Sequence, residues 1–195
     1  MKKTYNFFAY MARMKLIRRW SLMKSVSDEN IAEHSAQVAE IAHALALIKN
    51  RYFGGQLNAD RIGMAALYHE TSEVLTGDLP TPIKYYNPEI REAYKAIEST
   101  ANNKLLSMLP DELRGDYQEL IEPSSEDHGA VLIKAADKIS AYIKCVEEMR
   151  SGNREFAKAE KALRSAVEEY CRYEEVKYFC DNFLDSFKKT LDELE

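Results

Sequence analysis

Residues 67–82 read "LYHETSEVLTGDLPTP": an apolar helical run ends in His69-Glu70, adds Glu73, and breaks into a loop with Asp78 between Gly77 and Pro80. The chain has 4 histidines in 195 residues, and this one stands beside three carboxylates. Burying a carboxylate is costly unless a cation or hydrogen-bond donors compensate it. The segment is therefore either a solvated helix end with ordinary surface acids or part of a site that holds a cation. The rest of the sequence has to supply the partners.

Composition favours helices. Apolar residues make up 46%, against 7 Gly and 5 Pro, and the length suits a single domain over residues 1–195 with a sizeable core. Period-2 alternation is absent, and helical spacing recurs throughout. It predicts an all-α bundle of about seven to nine helices. The expected spans are 4–19, 30–50 with Asn30 and Glu33 as a capping box, and 58–71 capped by Asn58. A helix then begins at Asn87-Pro88, a short one at Pro110, and long ones cover 127–150, 153–171 and 173–192.

The net charge of -5 gives no general attraction to a nucleic acid polymer or an anionic membrane, so any phosphate binding must be local. No run approaches the roughly 18 apolar residues of a membrane span. The opening "MKKTYNFFAYMARMKLIRRW" is too charged throughout for a signal peptide. Cys145, Cys171 and Cys180 are odd in number and lack a CxxC spacing, so they read as reduced thiols of a cytoplasmic protein.

Two further segments supply partners. At about 100° per residue, His34, Val38, Ile41, Leu45 and Ile48 share one stripe, whereas His43 points to the opposite side. His34 is thus either a core histidine bonded to a backbone carbonyl or a ligand. In "IKAADKISAYIK", residues 133–144, Asp137 sits among small and apolar neighbours. It either pairs with Lys134 or Lys138 in a plain salt bridge or faces a cation. On the third helix, Ile62 and Ala65 share the face of His69.

Converging from separate helices, two imidazoles and one or two carboxylates make a mixed nitrogen and oxygen site. Manganese, cobalt, iron or zinc suits it better than calcium or an all-oxygen magnesium site. The string H-E-x-x-E lacks the second histidine of the H-E-x-x-H zinc protease helix.

The order His34…His69-Glu70…Asp137 resembles the HD-domain metal-dependent phosphohydrolases, and more closely the YfbR-type 5′-deoxynucleotidases. The likeness spans "FFAYMARMKLIRRW", "AEHSAQVAEIAHALALIKNRYFGG", "YHETSEVLTGDLPTPIKYYNP", "KAIE" and "KAADKISAYIKCVEEMRSGNREF". The early "RRW" and the "SEVLTGDLPTP" loop are its specific parts. The resemblance implies an HD-domain helical bundle, usually a homodimer, that removes the 5′-phosphate from deoxyribonucleoside 5′-monophosphates. It implies one divalent ion, cobalt, manganese or another transition metal, with magnesium or zinc also compatible.

The implied metal ligands fall on His34, His69, Glu70 and Asp137. The phosphate arginine falls on Arg19, the sugar-contacting tryptophan on Trp20, and the acid/base on Glu73. The substrate loop falls on Asp78, Leu79, Pro80 and Thr81, and His34, His69 and Asp137 also count among the substrate contacts. One position departs from the pattern, because the family doublet is His-Asp and here it is His-Glu. Two other readings attach to that change: a nucleotide pyrophosphohydrolase of the HD type, or a nucleotide-binding domain with impaired catalysis.

Overall fold

The structure is a computed structural model and describes residues 4–84, 86–124 and 127–194, with the side chain of Thr81 also outside the description. Ten α-helices are present among the described residues. They are α1 (Phe7–Met11), α2 (Ile31–Tyr52), α3 (Ala59–Leu67), α4 (Glu73–Thr76) and α5 (Thr81–Lys84), then α6 (Pro88–Leu106), α7 (Asp111–Ile121), α8 (His128–Arg150), α9 (Ala157–Tyr170) and α10 (Glu174–Phe183). Three of them, α1, α4 and α5, have only 5, 4 and 4 residues, which explains the excess over the expected number.

Helix α2 forms where its stripe predicts it. Asn30 accepts the N–H groups of Ala32 and Glu33, both at 3.0 Å, and Glu33 accepts that of Asn30 at 3.3 Å. This is the capping box read in the sequence. Val38, Ile41, Leu45 and Ile48 are buried, and so is His34. Helix α8 packs against α2 and is buried around most of its circumference, which places it at the centre of the core. Helices α3 and α10 also pack on α2, and α9 packs on α8. At Gly63 a Cβ would stand 3.1 Å from that of His43, so glycine permits the close approach of α3 to α2.

A second apolar cluster, Phe7, Leu105, Leu106, Leu109 and Ile121, joins α1, α6 and α7. Tyr68, Val74 and Leu75 pack on it, so it supports the segment that carries His69, Glu70 and Glu73.

Three expected helices are corrected. Residues 4–19 are not continuous: α1 is followed by a 3-10 turn at Met14–Leu16, and Ile17 is extended. A single helix would have had to hide Phe8 and Leu16, which are instead exposed. The chain pairs antiparallel with residues 29–31, Arg19 N–H donating to Glu29 C=O and Ile31 N–H to Ile17 C=O, both at 3.0 Å.

The third helix stops at Leu67 rather than Thr71, so His69 and Glu70 lie in turns. The carbonyl of Ala66, which would accept the Glu70 N–H in a continuing helix, takes His69 Nδ1–H at 2.6 Å instead. Thr71 Oγ1 bonds the Tyr68 carbonyl at 2.6 Å. Such side-chain bonds compete with helix propagation. The last helix ends at Phe183, and 3-10 turns at Leu184–Lys188 and Leu191–Glu193 replace its expected end, with Ser186 Oγ bonding the Phe183 carbonyl in the same way and Thr190 Oγ1 donating to the Glu193 carboxylate.

Candidate metal centre

His34 comes from the first turn of α2, His69 and Glu70 from the turns after α3, and Asp137 from the middle of α8. Each offers one ligand atom, and these atoms all lie within 4.8 Å of one another. Helix α2 packed on α8 brings His34 Nε2 to 3.1 Å from Asp137 Oδ1. The alternative partner of Asp137 is present too, since Lys138 Nζ stands 2.9 Å from Oδ2. Asp137 thus has one oxygen on a lysine and the other facing the imidazoles.

The hydrogen bonds fix what the imidazoles offer. Ser140 Oγ donates to Gln37 Oε1 at 2.6 Å, so its lone pair accepts the Nδ1–H of His34 at 3.0 Å. His34 Nε2 then presents a bare lone pair toward Asp137. Burial, followed by the charge of Arg19, holds His34 below the usual histidine range and so keeps it neutral. His69 likewise commits its Nδ1–H to the Ala66 carbonyl, and although burial opposes charge on the ring, the adjacent Glu70 raises it above the usual histidine range. Its Nε2 is buried without a hydrogen-bond partner, 3.3 Å from Glu70 Oε1. Acceptor atoms converging on one point, with an orphaned buried nitrogen among them, fit a divalent cation held by mixed nitrogen and oxygen donors.

Burial opposes charge on Asp137, but the positive charge of Lys138, 2.9 Å from Oδ2, helps hold its carboxyl well below the usual range. Burial likewise opposes charge on Glu70, yet His69 and a hydrogen bond from Glu73 outweigh it and keep Glu70 ionised. Glu73 is buried at the start of α4, and its carboxyl is pushed up to about 10, by burial first and then by the charges of Glu70 and Asp78. The proton thus resides on Glu73, one side chain away from the ligand cluster.

Arg19 and Trp20 reach this side through the pairing of residues 17–19 with 29–31. Glu29 Oε2 accepts from Arg19 NH1 at 2.9 Å and from Trp20 Nε1 at 2.8 Å. Trp20 packs on Phe156 with ring centroids 5.2 Å apart. Its φ of 59° is in the left-handed region, which side-chain-bearing residues rarely adopt and which clusters at functional positions. In that conformation its backbone N–H donates to the Asp78 carboxyl, which also lies within the field of Arg19. Burial outweighs both and raises Asp78. Gly77, at φ 74°, makes the turn that swings Asp78 back toward Trp20.

Leu79 and Pro80 continue the half-buried segment, with Pro80 C=O accepting from Ile83 and Lys84 to start α5. Thr81 opens α5, and its side chain is outside the described ones. His43 lies half-exposed with Asp60, at 3.2 Å, on the far side of α2, as its angle predicts. His128 bonds the buried Glu175 at 2.5 Å and takes no part in the cluster.

Sequence reasoning missed Gln37, Ser140, Glu29 and Lys84. Gln37 and Ser140 carried a usable signal, each lying one helical turn after a ligand, His34 and Asp137. Lys84 carried none; it bonds Glu98 at 2.8 Å, and its charge bears on Glu70, Glu73 and Asp78.

The model of the family described as 5′-deoxynucleotidase YfbR-like matches residues 6–187. A 5′-deoxynucleotidase of Vibrio parahaemolyticus is 55% identical over 193 residues, covering 98% of this chain and 99% of that protein. The 5′-deoxynucleotidase YfbR of Salmonella newport is 53% identical over 194 residues, covering 98% and 96%. Among solved structures, an HD-domain phosphohydrolase from Listeria innocua superposes with a TM-score of 0.83 at 24% identity, covering 93% of this chain and 88% of that one. An HD phosphohydrolase of cyanophage S-2L, bound to dA and one catalytic Zn2+ ion, gives 0.65 at 20% identity, covering 97% and 99%. The all-α bundle is thus the HD-domain fold, and by a match to nearly its whole length the chain belongs to the YfbR-like 5′-deoxynucleotidase family.

Proposed function

We propose that this protein is a metal-dependent 5′-deoxynucleotidase, hydrolysing deoxyribonucleoside 5′-monophosphates to deoxyribonucleoside and phosphate. The observation that carries the reading is the convergence of His34, His69, Glu70 and Asp137 within 4.8 Å, with two neutralised or orphaned imidazole nitrogens facing carboxylate oxygens. These four residues would hold one divalent ion, a transition metal such as cobalt or manganese, with zinc and magnesium as further candidates. Such an ion, when bound, supplies positive charge for a phosphoryl group and acidifies water.

The chain's own residues do the rest. Arg19 keeps several N–H donors beyond the one given to Glu29, and a guanidinium binds phosphate oxygens in a two-pronged way. Glu73 carries its proton at neutral pH and is suited to protonate the leaving 5′-oxygen, or to take a proton from water once that one is spent. Trp20 forms a wall beside C2′ that leaves no room for a 2′-hydroxyl, while Asp78, fixed by the Trp20 N–H, accepts the 3′-hydroxyl. Leu79, Pro80 and Thr81 complete the substrate loop.

Residues 1–195 act as one domain in this reading, and the protein works as a cytoplasmic homodimer. The cytoplasmic placement is supported by three free cysteines, and no helix among the described residues is long and apolar enough to cross a membrane. The test is a phosphate-release screen of deoxyribo- and ribonucleoside monophosphates, each with Mg, Mn, Co and Zn. Release from dAMP in preference to AMP is expected. No release from any deoxyribonucleotide with any of the four metals would sink the proposal.

Glu70 gives a sharper prediction. Its longer arm still brings Oε1 to 3.3 Å from His69 Nε2, so Glu70→Asp, the doublet of the family pattern, should match or exceed the parent activity. Glu70→Gln removes an anionic donor and should weaken metal binding by at least the roughly ten- to hundredfold typical even of outer partners. Metal titration and turnover measured side by side decide it. Equal values for all three forms would place Glu70 outside the ligand set.

A further inference from the structure

The Arg19-Trp20 dipeptide is held by one residue that the proposed chemistry does not otherwise use. Glu29 engages it three times. Its backbone carbonyl accepts the Arg19 N–H at 3.0 Å. A single carboxylate oxygen, Oε2, then accepts both Arg19 NH1 at 2.9 Å and Trp20 Nε1 at 2.8 Å. The Glu29 side chain is only 12% exposed and that of Arg19 13%, so water competes little with either bond. The arginine carbon lies 5.8 Å from the Trp20 ring centroid, so guanidinium and indole form one assembly around that oxygen.

Geometry makes such an anchor necessary. Trp20 is the one non-glycine residue with positive φ among the described residues, and it is the first residue beyond the antiparallel pairing. A strained backbone persists only when its surroundings over-determine it. Three contacts do so here: Phe156 against the ring, Asp78 on the backbone N–H, and Glu29 on the indole N–H. Of these, Glu29 alone also grips Arg19. The remainder of the loop is tied separately, through Val26 and Ser27 N–H to Glu148 at 2.8 and 3.2 Å. Of the three contacts, it is therefore Glu29 that aims Arg19 and Trp20 together.

We infer that Glu29 is a specificity-determining positioning residue, whose shared oxygen sets the phosphate-binding guanidinium and the sugar-facing indole at a fixed distance from each other. Trp20 is thereby held at C2′, so discrimination against a 2′-hydroxyl depends on an acid that touches neither the phosphate nor the sugar. This rests on the nucleotide-site reading above.

The test exploits the fact that Trp20 is the only tryptophan of the chain. The full-length protein is compared, without nucleotide, with Glu29→Ala, Glu29→Leu and Glu29→Gln, by tryptophan emission and anisotropy and by far-UV circular dichroism. The kcat/KM ratio of dAMP over AMP is then measured for each. Glu29→Ala and Glu29→Leu remove the acceptor, and the latter keeps most of the volume should the former fail to fold. Both should red-shift the emission, lower the anisotropy and reduce the ratio by about tenfold. Glu29→Gln retains a carbonyl oxygen for both donors, so its emission and its ratio should stay within about twofold of the parent, the size of difference that ordinary substitutions leave.

Parental emission in a folded Glu29→Leu overturns the inference, as does shifted emission with an unchanged ratio. Glu29→Gln behaving like Glu29→Leu overturns it too, because the acceptor is what separates them. If the parent protein releases no phosphate from dAMP, the nucleotidase reading fails on that arm alone, and Trp20 emission still decides whether Glu29 holds the indole.

Discussion

His34→Ala and Asp137→Ala should each take the protein from one bound divalent ion per chain to none measurable, and depress phosphate release by about a thousandfold. Each change removes one of four converging donors and also strands its partner. Without Asp137 the Nε2 of His34 faces nothing, and Lys138 loses its carboxylate. Without His34 the buried Ser140, which donates to Gln37, is left with an unused acceptor. A metal ion contributes several kcal/mol to charge stabilisation at a phosphoryl centre, and roughly 4 kcal/mol corresponds to about a thousandfold in rate. His34 is fully buried, so its loss also costs packing. Asp137→Asn preserves shape and should show the same metal loss with little change in melting temperature. Metal content by elemental analysis, read beside circular dichroism, is the measurement. Folded variants that keep stoichiometric metal would remove His34 and Asp137 from the ligand set.

What could be read from the chain divides by the range of the interaction. Asn30, Asn58 and Asn87 were legible as helix starts because a cap concerns only the next three residues, and each accepts the N–H groups expected of it. The His34 stripe was legible because periodicity along α2 is local and its buried face is continuous. The end of α3 was not. Its pattern runs on through His69, but a side-chain bond to the Ala66 carbonyl decides the matter, and residue spacing does not record that.

The stretch before Trp20 reads as helix in sequence for a similar reason. Its backbone is set by residues 29–31, across a loop whose acids and amides tie it to α8. Within the site, the family pattern pointed to residues that touch metal or substrate. Residues that aim those groups, Ser140, Gln37 and Glu29, are common polar types whose meaning comes from the partner each one faces. Turn spacing after a ligand would have exposed two of them; only the folded chain exposes Glu29.

Arg19→Ala should depress turnover of every nucleoside monophosphate alike, whereas Trp20→Ala should change which of them the enzyme prefers. The phosphate is common to all substrates, and the loss of a buried charge-assisted contact to it is worth about 2–4 kcal/mol, or roughly 30- to 1000-fold. Arg19→Lys should fall between, since an ammonium keeps the charge and loses the fork that grips Glu29 and phosphate together. Trp20 faces the sugar, and one misfit of methylene size is worth about 1–3 kcal/mol. The kcat/KM ratio of dAMP over AMP should therefore drop about ten- to a hundredfold in Trp20→Ala and stay near the parent value in both Arg19 variants. The ratio is internal to each preparation, so partial unfolding from the lost Phe156 contact cancels. Were the ratio to hold in Trp20→Ala, its left-handed backbone and its bond to Glu29 would serve packing alone, and the preference for deoxyribose would have to come from Asp78 and the loop that follows it.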